Sequence, residues 1–205
     1  CGGDTTYSKK LSFTITSVGY SNKIIYRNKA KSNDDIYVTG NLGDSYLGLR
    51  QLKNKVNLKK NDKLFFINKY YKPQLPFNLT NYLLKFANSS IDISDGLIDD
   101  LSKMINRQNL SFHLFENEIP VSKKLNNLIK KKKLNKINVT SQGDDYQVLF
   151  TADYNKARII QNASKSTGIK ITKIGKIVYG KNRSVIIDVK GKQIRAKSKG
   201  YIHRF

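Results

Sequence analysis

The spacing of apolar positions switches between a two-residue and a roughly 3.6-residue period along the chain. Leu11, Phe13 and Ile15 alternate with polar residues and predict a strand; a polar stretch, Lys31-Ser32-Asn33-Asp34-Asp35, separates it from the next one, Ile36-Tyr37-Val38. This stretch predicts a domain boundary, with residues 1–33 in one unit and 34–205 in another. The first strand follows Gly2-Gly3-Asp4-Thr5-Thr6 with no earlier element to pair with, so residues 1–33 read as the C-terminal remnant of a domain whose body lies upstream.

Within 34–205, Gly40 and Gly43 bracket a turn into a helix over about 44–53, and a second helix is expected over 78–87. Ser90-Ile91-Asp92-Ile93-Ser94 alternates like a strand, whereas Leu97, Ile98, Leu101, Met104 and Ile105 recur as one buried helical face. Ser94-Asp95-Gly96 is therefore a strand-to-helix turn. Further strands are predicted over 111–115, 146–151 and 170–178, helices over 121–132 and 155–166, the latter closed by Gly168, and a hairpin from 185–189 and 193–196. Strands that alternate with helices and also pair in hairpins predict an α/β chain of the α+β, mixed-sheet kind.

At 205 residues with 39% apolar content the chain can bury one sizeable core. Its formal net charge of +23 would suit a basic nucleic-acid-binding module, but the lysines are spread evenly among many Asn and Ile residues and no interleaved basic and aromatic motif appears. The charge is read as compositional bias, and no nucleic-acid partner is expected. The block Lys130 to Lys133 continues the helical pattern of Leu125, Leu128 and Ile129 and is expected to be a solvated helix face or end. No apolar run approaches the roughly 18–20 residues that cross a bilayer, and the opening decapeptide has no signal-like apolar stretch, so no membrane is expected and a cytoplasmic location is. Cys1 is the single cysteine, which allows no internal disulfide and no cysteine-rich metal site.

A chain with 15 acidic residues against 38 basic ones nevertheless places several carboxylates beside glycine at element ends: Gly2-Gly3-Asp4-Thr5, Asp92-Ile93-Ser94-Asp95-Gly96-Leu97 and Gly143-Asp144-Asp145-Tyr146. The tail Gly200-Tyr201-Ile202-His203 is a fourth such polar loop. Asp92 and Asp95 flank a turn that can aim both carboxylates at one point, which suits Mg²⁺, a hard ion that shares oxygen ligands among carboxylates, water and phosphates. The helix start after Ser94 is expected to offer unpaired N–H groups to an anion. A plain helix N-cap is the alternative for Ser94 and Asp95. His113 lies in an alternating strand and is read as packing.

In this order, Gly-Gly-Asp-Thr, Asp-x-Ser-Asp-Gly-Leu, Gly-Asp-Asp-Tyr with Leu149-Phe150, and Gly-Tyr-x-His, the motifs resemble those of the thiamine-monophosphate kinases. Ile36-Tyr37-Val38-Thr39-Gly40 and Gly43-Asp44-Ser45 are similar to the same family. The resemblance implies the aminoimidazole-ribonucleotide-synthetase-like (PurM-like) fold, here a C-terminal domain preceded by the last strand-containing piece of an N-terminal ATP-binding domain. It implies a transferase that moves the γ-phosphoryl of ATP to thiamine phosphate, in a homodimer. It further implies ATP contacts at Gly3, Asp4, Arg27 and Ser94, magnesium ligands at Asp4, Asp92 and Asp95, and thiamine phosphate contacts at Asp144 and Tyr201. Gln142, Arg204 and Lys72-Pro73-Gln74-Leu75-Pro76 depart from the family pattern. Relatives carry a long further segment before the Gly-Gly-Asp, so this chain alone is expected to be inactive. Other ATP-dependent enzymes of the superfamily, such as selenophosphate synthetase, are the rival reading; the Gly-Asp-Asp-Tyr loop and Gly-Tyr-x-His tail favour the kinase.

Overall fold

The structure, a computed structural model, describes residues 15–21, 23–132, 134–196 and 200. Its centre is a seven-stranded sheet of β1 (Asp35–Thr39), β2 (Ala87–Asp92), β3 (Leu110–Phe115), β4 (Val148–Ala152), β5 (Ile171–Tyr179), β6 (Val185–Ile187) and β7 (Gln193–Ile194). The strands lie in the order β2-β4-β1-β5-β3-β6-β7. The pairings are antiparallel except β3 with β6, which makes the sheet mixed, as the sequence predicts.

Alternation along the central strands sends neighbouring side chains into different cores. Ile36 and Val38 of β1 join Leu149, Phe112, Leu114, Ile174 and Ile177 on one face, against Leu97, Leu101 and Met104 of α4 (Leu97–Met104). Tyr37 and Phe150 enter the other core with Leu83 and Phe86 of α3 (Thr80–Phe86) and Ile160 and Ala163 of α7 (Ala157–Thr167). There Tyr37 stacks on Phe150 with centroids 5.3 Å apart, and Phe86 leans on the same ring at 5.4 Å. A third apolar cluster joins α1 (Asp44–Leu52), α2 (Lys60–Tyr71), α5 (Lys123–Lys132) and α6 (Lys136–Thr140) through Leu47, Phe66, Leu125, Leu128 and Val139. Lys130 and Lys131 are exposed on α5, as expected of a solvated face.

Two helices were not foreseen. α2 buries only Phe66 of its twelve residues, so its apolar spacing carries no amphipathic signal. α6 is five residues long, too short for the period to register. Before β1, Leu11 and Phe13 lie outside the described residues, and Ile15, Val18 and Tyr20 are exposed. The chain then settles on the sheet: Ile25 packs against the α3/α7 core, Ala30 is buried, and Asn33 donates its N–H to the Ile177 carbonyl at 2.9 Å.

Candidate functional site

Past the regular end of β2, its pairing with β4 runs on through loop backbone. Ile93 N–H donates to Gln147 O at 2.8 Å, Tyr146 N–H to Ile93 O at 2.9 Å, and Asp144 N–H to Ser94 O at 2.9 Å. The Ser94-Asp95-Gly96 turn and the Gly143-Asp144-Asp145-Tyr146 loop are thereby stitched together. Two glycines set how closely. Gly96 has φ +128° and a Cβ there would lie 2.4 Å from Ser141 O; Gly143 has φ +81° and a Cβ there would lie 2.2 Å from Ser94 O. Each backbone fills the space a side chain would need on the other. Asp144 and Tyr146 also adopt positive φ, 61° and 49°, a left-handed conformation that a non-glycine residue holds only where its surroundings enforce it.

The two carboxylates of this loop part company. Asp145 turns inward, is 5% exposed and accepts the Gly43 N–H at the start of α1 at 2.7 Å. Burial pushes its pKa to about 8; the Gly43 hydrogen bond opposes the rise, and the nearby Asp44 charge adds to it. Asp44, also buried, is raised to about 6 by the same desolvation, against the Ser122 hydroxyl that donates to it at 2.7 Å and the charge of Lys69. These two acids line a cavity of about 220 Å³ together with Lys69, Gln147 and the segment Pro73 to Pro76.

Asp144 turns the other way, toward the strand-end turn. Its carboxyl is held above the usual range by burial and then by the charge of Asp95, with Lys53 opposing. The Tyr146 phenol is likewise raised, by burial first and then by Asp144, Asp92, Tyr70 and Asp95. Asp92, Asp95 and Asp144 thus lie close enough to Tyr146 for their charges to bear on its phenol.

The turn itself is shaped from within α4. Asp100, buried at 1% exposure, accepts the N–H groups of Asp95 and Gly96 through one oxygen, each at 3.0 Å, and Lys103 through the other at 3.0 Å. Of the N–H groups after Ser94, those of Asp95 and Gly96, which precede α4, are occupied by an acid one turn onward. The N-cap alternative is corrected, since the cap residue of α4 is Gly96 and no side chain caps it in the ordinary way. Lys103 Nζ bridges three carboxylates, pairing with Asp95, with Asp99 at 2.8 Å and with Asp100. Burial pulls its pKa down, but the hydrogen bonds to Asp95, Asp99 and Asp100 together outweigh it and hold the ammonium above the ordinary lysine range. Gly200 returns to this point: a Cβ on it would lie 2.6 Å from Asp99 Cβ and 2.9 Å from Asp95 O.

Of the residues nominated from sequence, Asp92, Ser94, Asp95 and Asp144 come together. Arg27 is exposed, and its carbonyl accepts Ser89 Oγ at 2.5 Å, about three residues or ~10 Å along β2 from Asp92. Gly3, Asp4 and Tyr201 lie outside the described residues, although Gly200 places the start of the closing motif beside Asp95. Asp99, Asp100, Lys103 and Tyr146 were not nominated. The spacing of Asp99 and Lys103 puts two of these charged side chains on one helical face and could have shown that pair; Asp95 joins them only through the fold of the turn. His113 sits in β3, paired with Lys176 of β5 and away from the acidic face.

The oxygens of Asp95, Asp99 and Asp100 lie within 4.8 Å of one another, and Asp92 is exposed at the strand end beside them. An all-carboxylate donor set fits a hard divalent ion such as Mg²⁺. Asp100 has both oxygens committed, one to the turn and one to Lys103, and is not available to an ion. A cavity of about 1210 Å³ lies on the other side of α4, under the β6/β7 hairpin, and none of the nominated residues lines it.

The whole length of the chain aligns with proteins of one kind. A Buchnera aphidicola (subsp. Schizaphis graminum) thiamine-monophosphate kinase is 36% identical over 98% of this chain and 62% of its own length, and a Nitrosopumilus maritimus one is 32% identical over 98% and 63%. Over nearly its whole length the chain is similar to thiamine-monophosphate kinases. It spans about three fifths of the length of the curated relatives it matches. Among solved structures, a thiamine-monophosphate kinase from Stenotrophomonas maltophilia K279a superposes with TM-score 0.69 at 26% identity, covering 83% of this chain and 54% of that one. AaThiL complexed with AMPPCP and TMP superposes with TM-score 0.71 at 27% identity, covering 88% and 54%. Escherichia coli HypE, a hydrogenase maturation protein, shares the fold alone, at TM-score 0.67 and 15% identity over 89% of this chain and 54% of that one. The fold is that of the thiamine-monophosphate kinases and HypE, the PurM-like one expected from the sequence. No family model matches the chain.

Proposed function

We propose that this chain is part of a thiamine-phosphate kinase, which transfers the γ-phosphoryl group of ATP to the phosphate of thiamine monophosphate and yields thiamine diphosphate and ADP. The observation that carries the reading is the stitched pair of loops, which brings Asp92 and Asp95 onto the same face as Asp144. Donor and acceptor are both anions, so the reaction depends on alignment and charge neutralisation more than on a nucleophilic side chain. The acceptor phosphate is ionised near neutral pH, and no general base is assigned.

In this reading Asp92 and Asp95, joined by Asp4, hold magnesium, which neutralises phosphate oxygens. Ser94, Gly3, Asp4 and Arg27 contact ATP, and Asp144 and Tyr201 contact thiamine phosphate. AaThiL, similar in fold over 88% of this chain, was solved with AMPPCP and TMP, a pairing that suits a site with one ion-facing and one acceptor-facing half. A homodimer and a cytoplasmic setting go with the same reading; among the described residues no helix is long and apolar enough to cross a membrane.

The test is ADP release by the complete gene product with ATP, Mg²⁺ and thiamine phosphate. Asp95→Asn is expected to lower turnover by on the order of 100-fold or more, the range for losing one group that stabilises transferring charge. Wild-type turnover in that variant, or no ADP release from the wild-type protein, refutes the proposal.

A further inference from the structure

Lys103 holds the position a metal ion would compete for. Asp99 and Lys103 lie four residues apart on one face of α4, Asp95 lies in the turn before it, and the Lys103 ammonium meets one oxygen from each of Asp95, Asp99 and Asp100. An ammonium carries three donors, and here three carboxylates accept them. Asp100 stays fixed by its second oxygen, which holds the Asp95 and Gly96 N–H groups, so the turn keeps its shape whatever Lys103 does. The Lys103 side chain is 35% exposed and has an open route to solvent.

We propose that Lys103 is an internal counter-ion, which holds the ion-facing carboxylates together in the metal-free protein and releases Asp95 when a divalent cation binds. The proposal rests on the reading of Asp95 as a magnesium ligand. A carboxylate oxygen bonded to Mg²⁺ at about 2.0–2.1 Å cannot keep a lysine ammonium on the same side without setting a single and a double positive charge against each other. Two such charges about 5 Å apart in a water-like medium oppose one another enough to weaken metal binding by on the order of tenfold. Lys103 therefore exchanges metal affinity for stability of the metal-free turn, and its swing away leaves it on Asp99 and Asp100.

The experiment is Mn²⁺ binding to the chain without nucleotide, followed through the free-ion electron paramagnetic resonance signal. Lys103→Met, which keeps the length of the stem, is expected to bind about tenfold more tightly than wild type. Lys103→Arg, which keeps the charge, is expected to bind as wild type does. In EDTA the Met variant should melt below wild type and regain the difference in saturating Mn²⁺. Affinity in Lys103→Met that is unchanged or weaker, while Asp95→Asn still abolishes binding, overturns the counter-ion role and leaves the metal assignment standing. Binding that Asp95→Asn does not alter, or no binding to the wild-type chain, overturns both. Should the Met variant fail to fold, acetic anhydride labelling of Lys103 in the wild-type chain, read by peptide mass spectrometry, is expected to rise with Mn²⁺; unchanged or reduced labelling overturns the proposal.

Discussion

Replacing Asp145 by Asn removes a buried carboxyl group and keeps its outline. The native side chain is 5% exposed, accepts the Gly43 N–H at 2.7 Å and sits near a second buried acid, Asp44. Its pKa is about 8 in the folded chain against an ordinary value of 3.8. Below 3.8 both the folded and the unfolded chain hold the proton, and above about 8 both have lost it. Between those limits only the folded chain holds it, so stability falls as pH rises, by about 1.4 kcal/mol per pH unit for one fully displaced group. Asn still accepts from Gly43, can turn its amide nitrogen toward Asp44, and does not titrate. The stability difference between wild type and Asp145→Asn, measured by urea unfolding, is therefore expected to move in favour of the variant by up to about 4 kcal/mol from pH 5 to pH 8 and to level off above that. Taking the difference cancels the carboxylates that do not interact with Asp145. A difference that stays flat across this range, or that moves in favour of the wild type, would show that Asp145 is ionised in the folded chain and refute the argument.

Two further substitutions probe the frame of the site. Gly143→Ala would place a Cβ 2.2 Å from Ser94 O and 2.9 Å from Asp95 C, both backbone atoms, at φ +81°; it should cost more than the roughly 1–2 kcal/mol of left-handed strain alone and also weaken Mn²⁺ binding. Gly168→Ala, at φ +67° with nothing within 4 Å, carries the strain without the collision and is the control, expected to lower stability while leaving Mn²⁺ affinity unchanged. Phe150→Ala opens a cavity under Tyr37 and Phe86 in a fully buried position and should cost about 3–5 kcal/mol by the same unfolding measurement, with little effect expected if the ring stack were merely peripheral.

Much of this was legible where chemistry and periodicity coincide. The apolar run Ile36-Tyr37-Val38 marked a strand, and the spacing from Leu97 to Met104 marked a helix with one buried face, because a buried helix face writes its period into the sequence; that β1 lies inside a two-faced sheet with α4 packed against it is seen only in the structure. The Ser94-Asp95-Gly96 turn was found for the same reason. α2 escaped because Phe66 is its one buried residue, while its other aromatic and charged residues follow no single face. The candidate site was half visible. Asp92, Asp95 and Asp144 announced themselves through glycine-flanked acids, whereas Asp100 and Lys103 looked like ordinary solvated helix residues until the turn was seen to fold back on them. The division of labour between Asp144 and Asp145 was likewise hidden, since adjacent residues of one type separate only when backbone direction is known.

Because Gly96 and Gly143 press main chain against main chain, the gap between the strand-end turn and the Asp144 loop is set by backbone packing and backbone hydrogen bonds. Such a gap behaves like a cast fitting: surface helices can loosen or shift around it, and the spacing offered to two charged groups survives until the sheet edge formed by β2 and β4 comes apart.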